Sequence, residues 1–94
     1  IKLFTAKYDE NQNLYLTIQC NNPKNLSSKV IIDTVANYCK KVDLRRIDET
    51  SNIIDISLSV ELESFDEMNN LKLDLQNIEK DVKFTILDNK GIIG

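Results

Sequence analysis

From Ile54 to Leu62, apolar and polar residues alternate without a break. Ile54, Ile56, Leu58, Val60 and Leu62 are apolar, and Asp55, Ser57, Ser59 and Glu61 are polar. A period of two sends the two sets to opposite faces of a β-strand, so residues 52–62 belong in a sheet with one buried and one wet face. Immediately afterwards the period changes to that of a helix. Ser64-Phe65-Asp66-Glu67 matches a capping box, in which the Ser64 hydroxyl accepts from the Glu67 amide while the Glu67 side chain reaches back. Met68, Leu71, Leu75 and Ile78 then recur at helical spacing, predicting a helix over 64–79 whose first-turn Asp66 and Glu67 complement the positive end of its dipole. Val82, Phe84 and Ile86 restore the period of two, predicting a strand over 81–87. A half-wet sheet stacked on helices is a two-layer α+β sandwich.

The first half repeats this order. Residues 1–8 and 14–20 are strand-like runs separated by the polar Asp9-Glu10-Asn11-Gln12-Asn13, a loop of hairpin length, and are expected to pair antiparallel. In the second run Leu14, Leu16, Ile18 and Cys20 share one face, which assigns Cys20 to the core. After a turn over 21–25, the apolar positions Ile31, Val35, Tyr38, Cys39 and Val42 recur at helical spacing, broadened by Val30, Ile32 and Ala36. This predicts a helix over 26–41, for which Asn25, Ser27 and Ser28 are all competent caps. Residues 42–48 read as an edge-like strand whose alternation is blurred by Arg45 and Arg46. Without the first strand the order is β-α-β-β-α-β, the split ferredoxin-like unit: an antiparallel sheet with two helices on one face, here extended by an N-terminal strand.

Composition narrows the function. Ninety-four residues make one domain over 1–94, with room for a single core. No apolar run approaches the length of a membrane span. The chain begins at Ile1 without an initiating methionine or signal peptide, and is expected to be a domain of a longer protein. A net charge of −3 opposes binding to nucleic acid or anionic lipid, and the densest basic group, Lys40, Lys41, Arg45 and Arg46, is interleaved with Asp43, Asp48 and Glu49. With no histidine and only Cys20 and Cys39, a zinc site lacks ligands, and both thiols are expected to be reduced in a cytoplasmic setting.

The chemistry-bearing constellations are thin. Asp9-x-Asn11-x-Asn13 starts like a calcium loop, but its sixth position is Leu14 and its twelfth Cys20, so it reads as a polar hairpin loop. Glu61, Glu63, Asp66, Glu67 and Asp74 read as a solvated rim rather than an acid–base pair. Consecutive Arg45 and Arg46 are expected on opposite strand faces, one exposed and one snorkelling past an edge, unable to clamp one phosphate together. Cys39 and Tyr38 lie on the inner helix stripe, with no histidine to activate the thiol. The outward Thr17, Gln19, Asp55, Ser57, Ser59 and Glu61, with Tyr15 the lone aromatic, do not suit stacking on RNA bases. Gly91 and Gly94 are the only glycines, so no phosphate-binding loop exists. No enzyme activity, cofactor or metal is expected.

The segments Phe4-x-Ala6-x-Tyr8, Leu14-Tyr15-Leu16-Thr17-Ile18, Ile56-Ser57-Leu58-Ser59-Val60 and Val82-Lys83-Phe84-Thr85-Ile86, with the helix between the last two, give nearly the whole chain a layout. It resembles the ACT-like cytoplasmic C-terminal domains of bacterial polytopic membrane proteins, the MgtC-type proteins and a related uncharacterised family. The resemblance implies a non-catalytic regulatory or oligomerising domain on the cytoplasmic face of a membrane, pairing with a second copy through a sheet edge or face. ACT domains place a glycine in the first strand-to-helix loop, where amino-acid ligands approach the backbone. Here that loop has none, and Asn21, Asn22 and Asn25 are its candidate contacts to a small ligand. The alternative expectation is a small-ligand or cation-sensing module that controls a soluble partner domain.

Overall fold

The computed structural model describes residues 12–88. In chain order the elements are β1 (Gln12–Asn21), α1 (Ser28–Tyr38), β2 (Lys41–Glu49), β3 (Ile53–Leu62), α2 (Asp66–Ile78) and β4 (Lys83–Asp88). The strand expected over residues 1–8, the start of the loop after it and the tail from residue 89 lie outside the described residues. The hairpin expected between residues 1–8 and 14–20 nevertheless finds no free edge on β1, which β3 and β4 flank on both sides over residues 14–19.

The four strands form one antiparallel sheet in the order β2-β3-β1-β4. β1 and β3 hold the centre, and their register pairs like with like: Leu14 faces Val60, Leu16 faces Leu58, Ile18 faces Ile56 and Cys20 faces Ile54. These eight residues are buried and share one cluster with Leu26, Ile31 and Val35, with Met68, Leu71 and Leu75, and with Val82. Both helices therefore cover the same side of the sheet, the side to which the even positions of β1 and β3 point. A slip of one residue in either central strand would send its whole apolar set to water, which is why alternation specifies register so strongly. Each fully buried leucine or isoleucine contributes about 1.5–3 kcal/mol of transfer free energy.

The two helices start differently. At α1 the Ser27 side chain, in extended backbone, accepts from the Val30 amide at 3.3 Å, so Ser27 is the cap among the three candidates. The helix stops at Tyr38, before the expected residue 41, because Cys39 turns extended and leads directly into β2. Ile31 and Val35 are buried, Val30 and Ile32 half-buried, and Ala36 is exposed, so the stripe is narrower than its sequence suggests.

At α2 the capping box expected at Ser64 does not form. Phe65 already has helical backbone angles, and no side chain caps the helix. The Glu67 amide donates instead to the Ser64 carbonyl at 3.2 Å, and the Met68 amide to the Phe65 carbonyl at 3.0 Å. Once the backbone oxygen has taken the Glu67 proton, the Ser64 hydroxyl has no donor left there to accept from. Asp66 and Glu67 still occupy the first turn, where the dipole favours them.

Candidate functional site

Among the described residues, three regions bring polar or reactive side chains together: the open face of the sheet with its β2 edge, a cleft at the end of β1 and β3, and the surroundings of the two thiols.

The open face carries Tyr15, Thr17 and Gln19 from β1 directly opposite Ser59, Ser57 and Asp55 from β3. Thr17 Oγ1 and Ser57 Oγ approach to 3.5 Å, and Gln19 Nε2 donates to Asp55 Oδ2 at 3.2 Å. On the other side of β1, Thr85 and Leu87 of β4 sit beside Thr17 and Tyr15. Ser57 is only 7% exposed although it lies on this face, so the face is a polar floor partly shielded by longer side chains around it. Uncharged hydroxyls dominate its middle, an arrangement that suits hydrogen bonding and offers no concentrated charge.

β2 departs most from expectation. Its register against β3 runs Val42 to Val60 and Leu44 to Leu58, then skips, so that Arg46 meets Ser57 and Ile47 meets Ile56. Arg45 is the extra residue of a β-bulge, and two consecutive residues of the bulged strand oppose one on its partner. Arg45 and Arg46 are therefore not on opposite faces. Arg46 stands opposite the open-face residue Ser57, and Arg45 Nε donates to open-face Ser59 Oγ at 3.1 Å. Arg46 is also ion-paired with Asp48, two residues on and on the same face. Both arginines are exposed, and neither snorkels past the edge. The sequence held a signal for the bulge: the apolar phase of β2 shifts from even at Val42 and Leu44 to odd at Ile47.

The bulge also keeps Ile47 on the helix side with Val42 and Leu44. There the helices give little cover, leaving Leu44 49% and Ile47 39% exposed while their β3 partners Leu58 and Ile56 are fully buried. No strand pairs with the outer edge of β2 among the described residues.

The loop after β1 holds the candidate ligand contacts Asn21, Asn22 and Asn25, and the structure separates them. Asn22 has a positive φ of 51° and its amide donates to the Asn52 carbonyl at 2.6 Å, tying the loop to the turn before β3. Asparagine is among the few residues that occupy this left-handed region readily. The amides of Lys24 and Asn25 both donate to Glu79 Oε1, at 3.1 and 3.0 Å. These two hydrogen bonds hold the Glu79 carboxyl below its ordinary value, the Asn25 amide contributing most. The anion-receiving backbone of this loop is thus occupied by the chain's own carboxylate from beyond the end of α2. Glu79 lies 55 and 54 residues from these two partners in sequence, and no local motif announced it.

Asn21 lines a cleft that neither Asn22 nor Asn25 borders. It has a volume of about 250 Å³ and is bounded by Gln19, Cys20, Ile53 and Ile54, with Asp55, Asp81 and Lys83 as charged groups. The cleft opens where β4 begins one residue short of Cys20, so that among the described residues the end of β1 has no strand on that side.

Neither thiol is poised as a nucleophile. Burial pushes the Cys20 thiol up, helped by Glu79 and Asp81. Burial, with Glu67, pushes Cys39 up to about 11. Both stay protonated at neutral pH, the unreactive form. Tyr38 beside Cys39 donates its hydroxyl to Asp74, joining α1 to α2, and that bond raises the phenol above its usual range. Among the described residues no group of three or more Cys, Asp or Glu is arranged to hold a metal ion, and no helix is long and apolar enough to cross a membrane. Of the expected rim carboxylates, Glu63 and Glu67 line one shallow cleft with Tyr38 and Cys39, Asp74 accepts from the tyrosine, and Asp66 is exposed at the start of α2.

No family model, curated protein or solved structure matches the chain.

Proposed function

We propose that this domain is a non-catalytic regulatory or oligomerising module, ferredoxin-like in layout and similar to the ACT-like cytoplasmic domains of bacterial membrane proteins, that works by associating with a second copy of itself. The observation that carries this reading is β2. Among the described residues it presents a free backbone edge, flanked on the helix side by Leu44 and Ile47, whose neighbours one strand inward are completely buried. A strand with unpaired N–H and C=O groups and half-exposed aliphatic side chains is a template for sheet extension. Elsewhere three carboxylates are held within the chain: Glu79 by loop amides, Asp74 by Tyr38, Asp55 by Gln19.

The element order β-α-β-β-α-β and the strand order β2-β3-β1-β4 support the ferredoxin-like assignment, with the N-terminal run as an added strand. Sedimentation of the 94-residue chain over a wide concentration range tests the function. A mass that rises from one copy to two is expected, and a strict monomer at the highest concentration overturns the reading.

The cleft beside Asn21 favours a second reading, a small-ligand sensor. Its Asp55, Asp81 and Lys83 offer both signs of charge to a zwitterion or a polar metabolite. Thermal-shift measurements with individual amino acids and with divalent cations decide it, because a ligand that prefers the native state raises the midpoint. An unchanged midpoint at saturating concentrations removes this second reading.

A further inference from the structure

The guanidinium groups of Arg45 and Arg46 meet a row of serine and threonine hydroxyls on the open face, and we propose that together they bind a tetrahedral oxyanion, the phosphate of a phosphate monoester. This goes beyond the self-association reading and uses the face of the sheet rather than its edge. It involves none of the residues that line the cleft beside Asn21.

The bulge is the cause. In a regular strand Arg45 and Arg46 would point to opposite faces and could not reach one ligand. The skipped position brings both to the open side, Arg45 over Ser59 and Arg46 opposite Ser57. Like charges on consecutive residues of one face repel, and an anion held between them relieves that repulsion.

The hydrogen-bonding capacity of these groups is only partly used. Arg45 spends its Nε–H on Ser59 Oγ and forms no ion pair among the described residues, so the terminal amines of its fork remain available. Arg46 spends one terminal amine on Asp48. Ser59 Oγ accepts from Arg45, and its own proton has no acceptor among the described residues. The 3.5 Å contact between Thr17 Oγ1 and Ser57 Oγ consumes one hydroxyl proton and leaves the other. Ser57 is only 7% exposed, and a hydroxyl so nearly closed off from water is normally satisfied. What remains unspent is guanidinium N–H groups, which cannot accept, and hydroxyl protons beneath them.

That set of donors selects the ligand. A planar carboxylate offers one edge of two oxygens, which a single guanidinium fork satisfies. Donors arriving from neighbouring forks and from hydroxyls on the floor match the oxygens of a tetrahedral group instead. Asp43 and Asp55 share this face, opposite Ser59 and Gln19, and Asp48 is the resident counter-ion of Arg46. These carboxylates oppose a purely electrostatic attraction. Recognition therefore comes from directed N–H and O–H bonds, which tell phosphate from chloride at equal ionic strength.

The test titrates the nitrogen-15-labelled full chain with inorganic phosphate at constant ionic strength, with chloride as the matched control. Amide and arginine Nε resonances are read by NMR. Saturable shifts confined to Arg45, Arg46, Ser57, Ser59 and their immediate neighbours are expected with phosphate and absent with chloride. Arg45→Lys keeps the charge and loses the fork, and should weaken binding about tenfold. Asp48→Asn removes the resident counter-ion and should tighten it about two- to fivefold, a gain that no unfolded variant can produce. Glycerol phosphate in solution and vesicles containing phosphatidic acid carry the same phosphate monoester. Repeating the measurement with each shows whether the source is a soluble molecule or a lipid headgroup, and Arg45→Lys should weaken whichever binds. Shifts that chloride reproduces, that never saturate, or that survive Arg45→Lys unchanged overturn the site. Such a failure leaves self-association standing, because sedimentation decides that reading separately.

Discussion

β3 and β2 are neighbours, hydrogen-bonded along their length, and both contain aliphatic residues at near-alternate positions, yet their fates differ. In β3 every even residue from Ile54 to Leu62 is buried. In β2 every residue but Val42 is exposed. Composition does not explain this, since Leu44 and Ile47 are as apolar as the Leu58 and Ile56 they face. Position does. β3 has a strand on each side and two helices over it, whereas β2 has, among the described residues, a strand on one side and lies beyond most of the helical cover. Alternation thus states which face a residue takes, and the neighbours state whether that face is shielded from water.

The largest expected effect attacks this contrast directly. Ile56→Ala should destabilise the domain by about 2–5 kcal/mol, because it leaves a cavity in a closed core. Ile47→Ala, directly across the strand pair, should cost less than about 1 kcal/mol in dilute monomer, because much of that side chain is already in water. Urea unfolding of both variants measures the difference, and equal losses would mean that the β2 edge is as well covered as the centre.

A smaller contrast lies at the helix starts, where two serines with similar local sequence signals have different roles. Ser27→Ala should lose about 1 kcal/mol with its cap to Val30, while Ser64→Ala should stay within about 0.5 kcal/mol of wild type. Thermal unfolding of the pair distinguishes them, and a comparable loss at Ser64 would restore the capping box.

The smallest effect separates the tied loop from the open edge. Because native Glu79 titrates below its ordinary value of 4.5, its contribution is complete above that value and is lost as the pH falls through the lowered native one. Glu79→Gln should therefore flatten the acid limb of the stability curve and speed amide hydrogen exchange at Lys24 and Asn25. Exchange at the exposed β2 edge should not change. Unaltered exchange at both loop amides would show that the carboxylate does not hold the loop.

Much of the architecture was legible in linear form. The unbroken alternation over 54–62, the helical spacing of Met68, Leu71 and Leu75, and the even-numbered face of β1 all appear in the structure as read, because each pattern follows from local geometry repeated along one element. The candidate site was far less legible. The sequence pointed to Asn21, Asn22 and Asn25 as a group, and the structure places Asn21 but neither of the others on the cleft at the end of β1. The group that engages the loop is Glu79, which reaches it only because the end of α2 returns beside the end of β1.

The sequence alone determined the faces: a residue's turn within a period of two or of 3.6 is set by backbone geometry, and that needs no partner. Only the tertiary structure decided which face was shielded, that Arg45 and Arg46 stand on one side, and that Glu79 meets the amides of Lys24 and Asn25. Those outcomes depend on residues distant in sequence competing for the same neighbour, the same donor or the same excluded volume, and such competition begins only when the elements pack.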